Sequence, residues 1–478
     1  MKKIILLLFS LLVIFSSFGC GESKELSLYE IDAILNGNKL SCEMDFTYVN
    51  DSKKAVNELY FCLYPNAFRK DAKIKPVSVE KELKAYPNGE SFGEITINGV
   101  KHGEKDLKFF IVGDDENILK VELDRAVSYN ESHKISISYD LTIPNCLHRF
   151  GYGDNTLNLS NFYPVLCEEY NGKIYFSNYY AFGDPFYTSV ADYKVSLTVP
   201  STQIVASSMS PCETEWMGNK TRYSYSRKNV RDIAFVLSEK FNILKERVNS
   251  TDIYYYYFSD IAPENSLKTI VNSFKFYSDK FIKYPYLQYV VCEADFIHGG
   301  MEYPCLAIVD ESVKGEEKDY VLAHETAHQW WYGLVGVNQS EEGFIDEGLA
   351  EFSTLLYLEN ASGESREKEI ETVKQRYREI RKFTVNLQNS KKAIMQRNLG
   401  SFSSEAEYVS IAYYRSQIMF NELSKFLGEK KTYKFLKGLS TNYKYKNITY
   451  NELRSFAEKI KSGSKKLLDG YVLGETAV

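Results

Sequence analysis

Val321-Leu322-Ala323-His324-Glu325-Thr326-Ala327-His328-Gln329-Trp330-Trp331 has the form H-E-x-x-H inside an apolar, helix-compatible run. Side chains four residues apart share one face of an α-helix. His324 and His328 can therefore aim two imidazoles at one point. Such a pair suits zinc, which takes histidine nitrogens at about 2.0–2.1 Å in a tetrahedral shell. Glu325 lies about 100° round the helix from His324, so it is a poor third ligand and a good partner for a water beside the ion. The stretch predicts a zinc hydrolase with Glu325 as general base.

A catalytic zinc keeps three protein ligands and one open position. The third is expected at Glu347, in Gly343-Phe344-Ile345-Asp346-Glu347-Gly348-Leu349-Ala350-Glu351-Phe352. Eighteen residues separate His328 from Glu347. That is enough to end one helix, turn through Gly333, Gly336 and Asn338-Gln339-Ser340, and return on a second. Ligating histidines usually hand their other N–H to a carboxylate or carbonyl. Glu351, one turn after Glu347, is placed to hold His324, with Asp346 as the alternative. His298 reads as a cleft-wall residue, because a fourth protein ligand would close the open position.

Composition bounds the rest. A chain of 478 residues, 44% hydrophobic and 15% aromatic, can bury a large core and should hold two or more domains. A net charge of −6, with lysine and arginine spread along the chain, argues against a nucleic-acid binder or a basic membrane-surface protein. Eight cysteines show no C-x-x-C pairing; buried, mostly unpaired thiols are expected. Met1–Gly19 reads as a targeting segment: Lys2-Lys3, then an apolar run from Ile4 to Phe15. Cys20 then suggests a lipoprotein signal over residues 1–20, with a plain secretory signal as the alternative.

Residues 21–248 read as an N-terminal β domain. Strand-like alternation recurs at Leu40–Tyr48, Glu58–Leu63, Glu94–Ile97, Lys108–Val112, Ile118–Leu123, Lys134–Ile143, Tyr193–Val199, Arg222–Tyr225 and Ile233–Leu237. Asn98-Gly99 and Gly113-Asp114-Asp115 are hairpin signals. From about Tyr254 helical periodicity takes over, at Asn265–Lys283, Glu364–Lys382, Glu405–Leu427, Thr432–Leu439 and Tyr450–Lys461. Residues 249–478 are expected to form the catalytic domain.

His324-Glu325-Thr326-Ala327-His328-Gln329-Trp330-Trp331 followed by Asp346-Glu347-Gly348-Leu349-Ala350 resembles the gluzincin zinc aminopeptidases, the family of aminopeptidase N and leukotriene hydrolase. The resemblance implies an α+β protein: a saddle-like β domain, then a thermolysin-like, mainly helical zinc domain. It implies one zinc ion as cofactor. Gly299-Gly300-Met301-Glu302-Tyr303-Pro304 resembles the family's G-x-M-E-N element. That element implies an edge strand beside the zinc, with Gly299, Gly300, Met301 and Glu302 binding substrate. A carboxylate there gives a peptide's N-terminal ammonium a charge-assisted hydrogen bond, and glycines admit a close substrate backbone.

Tyr408-Val409-Ser410-Ile411-Ala412-Tyr413-Tyr414-Arg415-Ser416-Gln417 resembles the element Y-x-x-x-x-Y-x-K-G, implying Tyr413 as oxyanion donor. Arg415 and Ser416 depart from its Lys and Gly, and neighbouring Tyr414 leaves the register open by one. Leu467–Val472 resembles the end of the catalytic domain, so the helical C-terminal domain of larger members is expected to be absent and the cleft more open. The implied activity is a zinc-dependent aminopeptidase acting on peptides with a free N-terminus. Its expected place is the outer face of a bacterial membrane, held by a lipid anchor, with no nucleic-acid partner. A zinc endopeptidase of the same fold and a catalytically silent binding protein are the alternatives.

Overall fold

Leu28–Asn36 and Lys39–Val49 alternate: Tyr29, Ile31, Ala33 and Leu35, then Leu40, Cys42, Met44 and Phe46, point inward. A period of two makes half-buried strands, and these two pair antiparallel across a tight turn at Gly37, where φ is +61°. In the computed structural model, which describes residues 25–363, 365–388 and 393–478, this hairpin lies inside an eight-stranded sheet. The strands run, in spatial order, 211–217, 220–230, 191–200, 28–36, 39–49, 132–142, 94–102 and 105–106. Leu28–Asn36 and Ala191–Pro200 are parallel, a pairing of distant segments. A four-stranded sheet, 165–166, 56–62, 118–127 and 109–112, faces it. Phe46 meets Phe61 between the two sheets, edge to face at 5.3 Å. A third sheet, 204–207, 234–238, 157–160 and 150–152, completes the β domain.

Two sequence expectations are corrected here. Asn98-Gly99 is not a hairpin turn. It lies within Glu94–His102, where the register slips between Ile97 and Gly99, and the chain reverses at Gly103 instead. Bulges and tight turns both select glycine, so the local signal cannot separate them. The domain change does not fall at 248/249 either. Asn242–Val248 pairs with Thr251–Tyr257 in the catalytic sheet. It is a largely exposed edge strand, and an edge strand with polar flanks carries little periodic signal.

The catalytic sheet has the order 242–248, 251–257, 288–294, 306–310 and 300–301. Gly300–Met301 is thus its edge strand, antiparallel to Leu306–Asp310. The helices Pro263–Lys280, Gly315–Ala327 and Phe344–Ser362 pack on one another and against this sheet. Arg231 of the β domain is buried and donates to the carbonyls of Tyr332, Thr188 and Lys446 and to Asn447 Oδ1, tying the domains together.

Of the described cysteines, Cys212 is exposed and the others are buried thiols, Cys62 and Cys167 in contact at 3.3 Å. The expected leader, residues 1–20 with Cys20, lies outside the described residues. Among the described residues, no helix is long and apolar enough to cross a membrane.

Candidate active site

Gly315–Ala327 carries His324 and Glu325, and His328 is its capping residue. Both following tryptophans are buried and tied by their indole N–H groups, Trp330 to the Ile282 carbonyl and Trp331 to Ser353 Oγ, each at 2.8 Å. Those anchors fix how the helix ends and where the chain turns. Phe344–Ser362 then returns Glu347 to the imidazoles. His324 Nε2 and His328 Nε2 are 3.0 Å apart, and each is 3.4 Å from Glu347 Oε2. All three side chains are buried.

These distances test the metal directly. Bonds of about 2.0–2.1 Å in a tetrahedral shell put ligand atoms about 3.3–3.4 Å apart. The three observed edges are 3.0, 3.4 and 3.4 Å. Glu347 Oε2, buried and facing both imidazoles, makes no hydrogen bond, as expected of an oxygen shaped for an ion. The residues present fit zinc. His328 Nδ1 lies 2.7 Å from the Trp331 carbonyl, which fixes its tautomer, and His324 Nδ1 lies 3.2 Å from Glu351 Oε1. Glu351, rather than Asp346, is therefore the carboxylate beside His324 Nδ1. Burial pushes the Glu347 carboxyl up, but His328 and His324 outweigh it and hold it at about 2.

Gly300 and Glu325 meet side to side. A Cβ at Gly300 would stand 2.1 Å from Glu325 Oε1 and 2.7 Å from its Cγ. The glycine leaves room for the base, where sequence reasoning assigned it to the substrate backbone. Gly299 has open space around it but a φ of +78°, so its demand is conformational. Burial pushes Glu325 up to about 8, with His324 and His328 pulling it down. Glu302 lines the same cleft; its Oε1 accepts from Gln339 Nε2 at 2.9 Å, and Gln339 also donates to Asp346.

The Met301 side chain does not line the cleft, which leaves the backbone of this edge strand for a substrate. That side chain is buried away from the cleft, with Arg149 Nε 3.0 Å from its sulfur. Alternation along a strand sends Gly300 and Glu302 to one side and the residue between them to the other.

The helix expected over Glu405–Leu427 contains a π-helical stretch, Val409–Arg415. Tyr408 and Tyr413 are five apart, about 140° round an α-helix. A π turn bonds i to i+5 and brings such residues to one side. Both line the cleft, with rings 5.9 Å apart. This settles the register on Tyr413, whose hydroxyl donates to Glu347 Oε1 at 2.7 Å. Arg415 points the other way, buried and bonded to the Tyr471 and Thr476 carbonyls. Ser416 is accommodated by Gly348, where a Cβ would stand 2.6 Å away.

Three cleft residues carry no pattern that sequence reasoning could use. Arg149, Asp184 and Gly183 come from the β domain, with Arg149 bonded to Asp184. Burial pushes Asp184 up to about 7 and Arg149 opposes it.

Residues 265–471 match the profile described as Peptidase family M1 domain. The catalytic domain belongs to peptidase family M1. That domain makes the chain a peptide hydrolase. Over 95% of its length the chain is similar in fold to an M1 zinc metallopeptidase from Deinococcus radiodurans, at 15% identity and a TM-score of 0.70, with 95% of that chain covered. A Glu-to-Ala mutant of a two-domain M1 zinc metallopeptidase bound to L-arginine matches at 13% identity and a TM-score of 0.68, covering 95% of this chain and 94% of that one. A mutant of the Deinococcus enzyme bound to the substrate Tyr-Ser-Ala matches at 13% identity and a TM-score of 0.67, with 95% of each covered. In the M1 domain, then, the ion site, the Gly300–Glu302 edge and the Tyr408–Tyr413 turn enclose one cleft.

Proposed function

We propose that this M1 peptidase is an aminopeptidase, releasing N-terminal residues from peptides. The observation that carries the reading is the charge of the cleft. Asp184, Glu302, Glu325, Glu347, Glu351 and Glu405 line it; the guanidinium among the lining residues, Arg149, is already bonded to Asp184, and Glu405 is paired with Lys81. A divalent ion at His324, His328 and Glu347 offsets part of that charge. Glu302, held by Gln339, still favours a cation, and the α-ammonium of a peptide supplies one. The recess is about 180 Å³, below the roughly 300–1,000 Å³ of a typical ligand pocket, which suits a chain end better than a chain middle. Ligands found in the neighbouring structures, L-arginine and Tyr-Ser-Ala, have free α-amino groups.

His324, His328 and Glu347 would hold a zinc ion, which would supply a Lewis acid and lower the pKa of a water there. Glu325 takes the proton of the attacking water and returns it to the leaving amine. Tyr413 exchanges its bond to Glu347 for one to the developing oxyanion. Glu302 fixes the ammonium and so selects the first peptide bond.

The test compares aminoacyl amides with their N-acetylated forms, in wild type and Glu302→Ala. Acetylation should abolish cleavage, and Glu302→Ala should chiefly raise KM for free amines. Equal cleavage of both forms would instead establish an endopeptidase. We also propose attachment outside the cytoplasmic membrane through Cys20, on the strength of the leader sequence alone. Loss of palmitate labelling in Cys20→Ala would support it, and an unlabelled wild type would end it.

A further inference from the structure

The chain has only six histidines. Outside the catalytic pair, two of them converge on a carboxylate in the β domain. His102 closes the strand Glu94–His102, Asp124 lies in Ile118–Val127, and His133 is in Ser132–Thr142. The first and third strands pair within the eight-stranded sheet, while the second belongs to the four-stranded sheet facing it. The cluster therefore stands where residues 128–131 carry the chain from one sheet to the next.

The geometry is that of a ligand set. His102 Nδ1 lies 3.1 and 3.0 Å from the two Asp124 oxygens, and His133 Nε2 lies 3.3 Å from Asp124 Oδ1. One ligand atom from each residue falls within 4.8 Å of the others. Two edges are close to the roughly 3.3–3.4 Å of a tetrahedral zinc shell, and the third can close by rotation of His102, whose side chain is 39% exposed. The His133 side chain is only 1% exposed, and its Nε2 makes no hydrogen bond. Native folds rarely bury a polar nitrogen without a partner; here it faces the carboxylate. Lys105 approaches Asp124 Oδ2 at 3.5 Å and leaves Oδ1 to the cluster.

We propose that His102, Asp124 and His133 form a second divalent-metal site, taking a first-row ion of the zinc type and pinning the two sheets of the β domain together. Two imidazoles with one carboxylate select such an ion over calcium or magnesium, which prefer all-oxygen shells. Three protein ligands leave a fourth position for water at the half-exposed edge. The ion lies outside the peptidase cleft and is additional to the one that the sequence calls for. The inference does not rest on the aminopeptidase reading.

The experiment is zinc stoichiometry of the full, tag-free chain after dialysis against micromolar zinc, read by atomic emission. Wild type should hold two ions and His102→Ala one, with peptidase activity and circular dichroism unchanged. Asp124→Asn should also hold one, and it decides the matter if His102→Ala does not fold. His324→Ala should hold one ion and lose activity, so failure at either centre is read separately. Zinc should raise the melting temperature of His324→Ala but not of the His102→Ala/His324→Ala double variant. A wild type with a single ion that His324→Ala removes, or a His102→Ala protein that keeps two, would overturn the proposal.

Discussion

Gly300→Ala should disable the enzyme while leaving its metal in place. The added Cβ would stand 2.1 Å from Glu325 Oε1, 2.5 Å from Cδ and 2.7 Å from Cγ. Ordinary contact begins near 3.4 Å, so the carboxylate must retreat by about 1 Å or more. Because Cγ is crowded as well as the oxygen, turning the carboxylate is not enough and the whole side chain must swing. A misplacement of about 1 Å can cost about 10²-fold in rate, and a general base contributes about 10²–10⁴-fold in all. The expectation is a fall in kcat/KM within that range. The backbone itself accepts alanine, since Gly300 is an extended residue of an edge strand. The three atoms nearest the new methyl all belong to Glu325, so the base is displaced first and zinc content should match wild type.

The assay is kcat/KM on an aminoacyl amide, with metal content and melting temperature measured on the same preparations. Gly299→Ala is the control: its Cβ meets open space, but φ is +78°. It should lose stability by about 1 kcal/mol and keep the base in position. A Gly300→Ala enzyme within about fivefold of wild type, at full zinc occupancy, would refute the reasoning.

Glu325→Gln should abolish turnover with zinc retained, since the amide keeps the shape and loses the base; measurable peptide release would count against it. Tyr413→Phe separates two roles for a hydroxyl that now bonds Glu347: an oxyanion donor costs about 10²–10³-fold in kcat with zinc affinity unchanged, whereas weakened zinc binding would mean that it only steadies the ligand. Glu351→Gln removes the charge beside His324 Nδ1 and should weaken zinc about 10–100-fold in a chelator competition; unchanged affinity would remove Glu351 from the site. Arg231→Ala strips the Tyr332 and Lys446 carbonyls across the domain boundary of their buried donor and should cost about 1–3 kcal/mol for each acceptor left unpaired in urea unfolding, against which a loss below about 1 kcal/mol would tell.

The ion site was legible in the sequence because its geometry is local. Four-residue spacing puts His324 and His328 on one helical face whatever surrounds them, and the short return to Glu347 leaves few places for the third ligand. The β domain was legible as strands for the same reason, since alternation is a property of neighbouring residues. Tertiary structure alone decided the rest. Nothing in the local pattern tells that Gly300 yields space to Glu325, that a π turn brings Tyr408 and Tyr413 together, or that Met301 turns inward onto Arg149. It also could not bring Asp184 into the cleft, or set Asp124 beside His102 and His133 across a crossing between sheets. Each of these depends on side chains far apart along the chain, and pairings of that kind are fixed by how sheets and helices pack, not by periodicity within any one of them.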